Sequence, residues 1–568
     1  MDQNKTMEKS YLPKPTWRRF IKRGVIIILY GLLIITCAYL LPAESHKYLF
    51  VIYALSIFLI LMIISGHNPQ GAGEKEKNNY KKIFLLVLIL SILFLIITRL
   101  MPFIRFGEAP LGYDTGFYLW RFSATNALEK PFYLSFLPYY FLGLSPLAAL
   151  NVFYVISQLL LAGSLYVLMR TLKIASGFYL AVLTIFLFCV SITQFQAYWW
   201  MFGQQMLAMG LMLITISLIL RRSVVAVLTA SLGIIIHPPT FIMLSLVAAI
   251  AFSIYLFKQY RQRKTFNLKL LYIVGGGLGV IGLIVIFKFQ DFLNYFNLYI
   301  LTYHGLSSNF PFWDVPKMKG LFVSPLFYNL STLLIVPFAA FSFLNPRVWL
   351  VGAAVKKDDQ TMRNFLFIIY TMVIGLFFLV VLPVIYQHRF IIIFDIFLII
   401  LAAPALLLLI KKFFQDKIGK LLVLVFLGIL ILRSGLFVWA QQPQLYPDEL
   451  QELKSIATVV DPKLLLIATN TTYTPWVIGF SGHESFGPGY GADLWTFSDW
   501  QTFWSSENDD DRYTLLAKYP NNSIYLFIGN RENTNLPYQK NIRTDSSFTL
   551  VSPHIWRYSP KQNNYDQE

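Results

Sequence analysis

Long apolar runs recur along this chain between residues 24 and 440, and they decide what it can fold into. A helix of roughly 20 apolar residues is long enough to cross the hydrocarbon core of a bilayer. The sequence therefore predicts an all-α polytopic membrane protein with about thirteen transmembrane helices. The predicted spans are residues 24–42, 48–65, 82–100, 147–169, 176–195, 205–220, 223–237, 241–257, 268–288, 324–343, 364–384, 390–409 and 421–440.

Basic residues separate these runs and predict the orientation of the chain. If residue 1 is cytoplasmic, the inner segments before residue 441 hold about 28 Lys and Arg and the outer loops about 7. This bias places the N-terminus inside, and an odd number of spans places the C-terminus outside. The net charge is +18, but the Lys and Arg residues are spread between apolar runs and form no cluster on a soluble domain. We therefore interpret them as topology signals and expect no nucleic-acid partner.

The pattern divides the chain into three parts. Residues 1–23 form a basic cytoplasmic N-terminus, and residues 24–440 form a transmembrane domain with long outer loops at 101–146 and 289–323. Residues 441–568 are polar, with one helical segment (YPDELQELKSIATVVDPK) and two short buried strands (LLLIATN and SIYLFIGN). We expect a small extracytoplasmic α/β domain there. The localisation that follows is a multi-pass protein of the plasma membrane.

The first outer loop carries the most informative stretch, GEAPLGYDTGFYLWRF. Asp114 lies among aromatic residues directly after a span, where a carboxylate in a partly dehydrated interface is suited to act as a general base or metal ligand. A helix starting at Thr115 would place Tyr118 and Arg121 on the same face as Asp114. The competing interpretation is that Asp114 only caps that helix, and the two roles are compatible.

Two further segments place polar residues at the outer ends of spans. His388 and Arg389 occur in YQHRF, where the positive-inside rule disfavours a cation, and a guanidinium suits a lipid phosphate. The alternative is an interfacial arginine that snorkels to the membrane surface. His237 precedes two prolines, so it is either a structural residue at a kink or a contact for substrate.

Taken together, the outer-loop carboxylate, the late arginine and the number of spans resemble the GT-C superfamily of integral-membrane glycosyltransferases. GYDTGFYLW is similar to the acidic and aromatic first-loop motif of that superfamily, which implies Asp114 as the catalytic carboxylate, with Tyr113, Tyr118 and Arg121 near the substrate. YQHRF resembles the late-span motif whose arginine, here Arg389, contacts the lipid phosphate.

The resemblance implies transfer of a sugar, with inversion, from a polyprenyl-phosphate donor to a hydroxyl of a glycan, lipid or protein acceptor at the outer face. The overall topology is also similar to oligosaccharyltransferase catalytic subunits, but residues 441–568 contain no Trp-Trp-Asp motif, which favours the monosaccharide donor over a diphosphate-linked one. A flippase for lipid-linked glycans and a non-catalytic anchoring protein are the other hypotheses. We expect no cofactor, with a divalent metal as an alternative, since no metal-ligand spacing is evident.

Overall fold

The computed structural model describes part of the chain, and the predicted spans 24–42, 241–257 and 268–288, nearly all of 48–65, and the second outer loop lie outside that part. The described residues are 61, 74–107, 112, 115–116, 118–119, 142–199, 203–237, 240, 330–350, 360–381, 387–414, 417–443, 445–459, 464–470, 473–488, 495, 497–519, 524–530 and 537–559.

Ten helices of the described part build a membrane bundle. Six are long and apolar enough to cross a membrane, or seven if the bent pair α3 and α4 is one span. Nine of the thirteen predicted spans coincide with these helices. The helices are α1 Glu74–Phe106, α2 Pro146–Thr171, α3 Gly177–Val190, α4 Ile192–Trp199, α5 Gly203–Leu220, α6 Val225–Ile236, α7 Leu330–Leu344, α8 Gln360–Val381, α9 Gln387–Phe413 and α10 Lys417–Ala440.

Helix α9 is the centre of this bundle. It packs against α3, α7, α8 and α10, and nearly all of its side chains are buried. By contrast, α1, α8 and α10 expose large apolar side chains such as Leu86, Phe378 and Leu421. Apolar side chains outside and a dense apolar core inside are what a bundle immersed in lipid requires. The membrane-protein class predicted from the sequence is confirmed.

The predicted span 176–195 is interrupted in the structure. Its two parts, α3 and α4, are bent by 55° at Ser191. The Ser191 side chain accepts a hydrogen bond from the backbone N–H of Gln194 (3.2 Å), so it caps the start of α4 as serine commonly does. All eight residues of α4 are buried, including Thr193, Gln194 and Gln196. A segment this polar is stable in the bundle because it lies against other helices and not against lipid.

Several helix ends meet at one end of the bundle, which we call the site end. Arg389 at the start of α9 contacts His237 at the end of α6 and the side chain of Gln205 at the start of α5. Arg105, near the end of α1, donates a hydrogen bond to the carbonyl of Trp439 at the end of α10. The first outer loop and the chain that follows α10 therefore start at this same end.

The C-terminal domain, residues 445–559, is a mixed α/β unit. Its five-stranded sheet has the order β2-β1-β3-β5-β4, in which β2, β1 and β3 are parallel and the β5 and β4 pairs are antiparallel. The elements are α11 Pro447–Val459, β1 Leu465–Ala468, α12 Thr474–Phe480, β2 Glu484–Phe486, α13 Phe497–Ser505, α14 Asp509–Leu516, β3 Ile524–Phe527, α15 Pro537–Thr544, β4 Phe548–Ser552 and β5 Ile555–Tyr558.

The two predicted strands form the middle of this sheet. Leu465 and Ile467 of β1 face one apolar core, and Leu466 and Ala468 face a second core on the opposite side. A strand covered on both faces has a continuous apolar sequence, which is why LLLIATN and SIYLFIGN are readable from the sequence. The predicted helix after residue 445 is α11, so the α/β character of this region is confirmed.

Helix α11 is joined to the sheet by a buried acid–base pair. The Glu452 carboxylate is 2.5 Å from Nδ1 of His554 and also accepts the backbone N–H of His554 (3.1 Å). This hydrogen bond from the imidazole, only partly offset by burial, raises the pKa of His554 above its ordinary 6.5. The pair fixes α11 to the turn between β4 and β5.

Candidate functional site

Arg389 is the best-defined predicted site residue in the structure. It lies in the first turn of α9, where the positive end of the helix dipole already favours an anion. Its backbone carbonyl accepts a hydrogen bond from Nε2 of the fully buried Gln205 (2.7 Å), and its guanidinium is 3.3 Å from Nε2 of His237. Gln205 therefore holds the backbone of Arg389 at the site end, and His237 contacts its half-buried side chain.

The contact between His237 and Arg389 fixes the protonation of the imidazole. A guanidinium can only donate, so Nε2 of His237 is the acceptor and carries no proton. Nδ1 then bears the proton and donates a hydrogen bond to Oγ1 of Thr240 (2.8 Å). His237 is a neutral residue that orients the arginine. Both residues were predicted as site residues from separate segments of the sequence, and the structure places them in contact.

Below Arg389, α9 is joined to the bend in the α3–α4 span. Oδ2 of Asp395, a fully buried residue, accepts hydrogen bonds from the Ser191 hydroxyl (2.7 Å) and from Nε2 of Gln194 (3.0 Å). Nε2 of Gln194 also donates to the carbonyl of Ile392 (2.9 Å). Because Ser191 and Gln194 both belong to the bend, this cluster fixes the position of α4 against the start of α9.

A second polar cluster joins α4 to α1 and α2. Arg99, which is fully buried near the end of α1, donates to Oε1 of Gln158 on α2 (3.1 Å) and lies 5.1 Å from the ring centroid of Phe195. The hydroxyl of Tyr198 donates to the Arg99 carbonyl (2.5 Å). Through these bonds α4 connects α9 to α1, the helix from which the first outer loop starts.

The described residues of the first outer loop lie against both the bundle and the C-terminal domain. Residues 115–116 and 118–119 are helical, as predicted, and Thr115 is fully buried. The ring of Tyr118 is 6.4 Å from that of Tyr154 in the third turn of α2. Gly203, the first residue of α5, lies so close to the Tyr154 ring that a Cβ atom there would overlap it. Tyr118 is thus joined by contacts to the helix that carries Gln205.

The predicted site residues fall into two groups. Tyr118, His237 and Arg389 are placed as described above. Tyr113, Asp114 and Arg121 lie outside the described residues, and of His388, the second residue of α9, the backbone alone is described. The roles assigned to these residues stay predictions.

The described residues include only some of the acidic and histidine side chains that could bind a metal. Among the residues with a described position, no three His, Cys, Asp or Glu side chains come together. Asp114 lies outside that set, and so do Asp291, His304 and Asp314 in the second outer loop. The expectation that no cofactor is needed therefore remains a prediction.

Three amide-bearing residues of the bundle were not among the predicted site residues. Gln158, Gln194 and Gln205 are all fully buried and all donate or accept hydrogen bonds between helices. The sequence does contain a signal for these residues. Burying a polar side chain inside an apolar span costs free energy, so such a side chain faces a partner or a cavity. The run SITQFQ within an apolar span shows it most clearly.

Comparison with known proteins gives similarity at the level of solved structures. No family model matches the chain, and no curated protein matches it. The crystal structure of ArnT from Cupriavidus metallidurans bound to undecaprenyl phosphate aligns with 86% of this chain and 99% of that chain, at 13% identity and a TM-score of 0.45. The apo crystal structure of the same ArnT aligns with 86% and 100%, at 12% identity and a TM-score of 0.45.

This similarity gives no residue of the chain a role, so the site rests on the contacts described above.

Proposed function

We propose that the protein is a membrane glycosyltransferase that moves a sugar from a polyprenyl-phosphate donor to an acceptor hydroxyl at the outer face of the membrane. The observation that carries the proposal is the placement of Arg389, a half-buried cation at a helix N-terminus, whose guanidinium contacts neutral His237 and whose backbone is held by Gln205. A guanidinium at the positive end of a helix dipole is suited to a phosphate. Undecaprenyl phosphate, the lipid in one of the ArnT crystal structures, belongs to the proposed class of carrier.

In the proposed reaction the acceptor oxygen attacks the anomeric carbon as the bond from that carbon to the phosphate oxygen breaks. Asp114 takes the proton from the attacking hydroxyl, and the electron pair leaves with the phosphate, whose charge Arg389 stabilises. Attack on the face opposite the leaving group gives inversion. His237 keeps the guanidinium in place, and Tyr118 follows Asp114 by four residues in the same loop.

The test uses a panel of polyprenyl-phosphate sugars as donors and a lipid extract as the acceptor source. Mass spectrometry measures the free polyprenyl phosphate that is released. We expect release by the wild type and none by Asp114→Asn. Glu507→Gln, which removes an exposed carboxylate of the C-terminal domain, is the matched control and should keep full activity. Full activity in Asp114→Asn would overturn the assignment of the base.

Arg389→Lys separates phosphate binding from chemistry at Asp114. Losing one charge-assisted hydrogen bond costs about 1.5–3 kcal/mol, so we expect donor use to weaken about tenfold to a hundredfold. Arg170→Lys, at the opposite end of the bundle, is the control and should behave as the wild type. Absence of release from every monophosphate donor would favour a diphosphate-linked donor or a flippase.

A further inference from the structure

Two glycines bring the first outer loop and the C-terminal domain into backbone contact. A Cβ atom on Gly116 would lie 2.6 Å from Cα of Trp476 and would overlap the carbonyl of Pro475. A Cβ atom on Gly479 would lie 2.6 Å from Cα of Gly116 and would overlap its carbonyl group. Only glycine lets two backbones approach this closely, so neither position accepts a larger residue without movement.

On the C-terminal side, this contact has a rigid support. Gly479, Pro475 and Trp476 belong to α12, whose Trp476 is fully buried and stacks on Phe480 with ring centroids 5.7 Å apart. The residue before α12, Tyr473, packs its ring 5.4 Å from that of Phe527 in the central strand β3. Helix α12 therefore cannot move away from Gly116 without disturbing the core of its own domain.

The loop side is held at two points as well. Thr115, next to Gly116, is fully buried. At the start of the loop, the guanidinium carbon of Arg105 lies 4.3 Å from the ring centroid of Trp439, just before the C-terminal domain begins. The loop and the domain are thus joined both where they leave the bundle and again at the glycine contact.

We infer that α12 positions the catalytic loop, with Gly479 as the positioning residue that sets where Gly116 lies and, through it, where Asp114 lies two residues earlier. This rests on the proposed function of Asp114 as the base. In this arrangement the C-terminal domain is part of the catalytic unit, although none of its residues need touch the reacting atoms.

The expected effect follows from the size of the overlap. Relieving the overlap of this Cβ atom with the carbonyl oxygen of Gly116 to ordinary packing distance moves the loop by about 1 Å. A misplacement of about 1 Å at a reacting group costs about 10²-fold in rate. Gly479→Ala should therefore lower kcat by about 10- to 100-fold. The KM for the donor should change little, because Arg389 holds the donor phosphate from a different element.

Two control variants separate positioning from stability. Gly163→Ala adds a Cβ atom on α2 where nothing lies within 4 Å, so it should be neutral. Ile542→Ala removes a fully buried side chain from the core on the opposite face of the sheet, so it destabilises the C-terminal domain without touching α12. Below the melting temperature, Ile542→Ala should keep the wild-type kcat.

The experiment measures kcat and KM together with hydrogen exchange of the backbone amides of residues 115–119 in the full-length protein. Lower kcat, unchanged KM and faster exchange in Gly479→Ala alone support the inference. An unchanged kcat, or an equal loss in Ile542→Ala, overturns it. If the wild type transfers no sugar, the proposed function fails, but exchange still decides the contact, since unchanged exchange in Gly479→Ala would show that α12 does not hold the loop.

Discussion

Replacing Asp395 should loosen the bend at Ser191, because this one side chain accepts two hydrogen bonds that connect α9 to the α3–α4 span. Asp395→Ala removes the acceptor for the Ser191 hydroxyl and for Nε2 of Gln194, both in the interior of the bundle. Hydrogen bonds between helices in membrane proteins average about 0.6 kcal/mol and reach about 1.7 kcal/mol. Two of them together come to about 1–3 kcal/mol of stability.

Asp395→Asn distinguishes a lost acceptor from a lost carboxylate. Both hydrogen bonds are accepted by Oδ2, so an amide oxygen in that place can accept both, although more weakly than a carboxylate. We expect the asparagine variant to lose less than about 1 kcal/mol and the alanine variant to lose clearly more.

Thr184→Val is the matched control for this pair. Thr184 is fully buried in α3, but its hydroxyl donates to the carbonyl of Leu180 in its own helix (2.8 Å). Loss of this hydroxyl therefore breaks no hydrogen bond between helices. The assay is thermal unfolding of the detergent-purified protein, with hydrogen exchange across α3 and α4. An Asp395→Ala variant as stable as Thr184→Val, or an asparagine variant as damaged as the alanine one, would refute the reasoning.

Two more predictions concern other parts of the chain. Because the pKa of His554 is raised in the folded state, its ion pair with Glu452 contributes its full stability below pH 6.5 and loses it as the pH rises through the folded pKa. The C-terminal domain should therefore melt at a higher temperature at pH 6 than at pH 8.5. The Glu452→Gln variant should remove that difference. Gly203→Ala should lower the melting temperature in detergent, because its Cβ atom overlaps the Tyr154 ring, whereas Gly163→Ala should not; equal melting of these two variants would contradict the second prediction.

Hydropathy and charge were enough to predict the class of fold. Nine of the thirteen predicted spans coincide with described helices, and the strands LLLIATN and SIYLFIGN were found because burial on both faces leaves an unbroken apolar run. The break at Ser191 was missed, since an average over an apolar window conceals four polar residues that lie against other helices and not against lipid.

Contacts between distant parts of the chain could not be predicted in this way. His237 and Arg389 were each singled out at the outer end of a span, but the packing order of helices, which makes them neighbours, leaves no trace in hydropathy. The contact between Gly116 and Gly479 joins segments from different domains, and a lone glycine in a sequence does not reveal which backbone approaches it.

The burial of α9 has a consequence for the membranes in which such a protein can work. Bilayers differ in thickness, and helices that face lipid respond by tilting. In this bundle α1, α8 and α10 present apolar side chains outward, while α9 is enclosed by its neighbours. A change of lipid should therefore tilt the peripheral helices first and leave the guanidinium of Arg389 at a depth set by protein contacts alone.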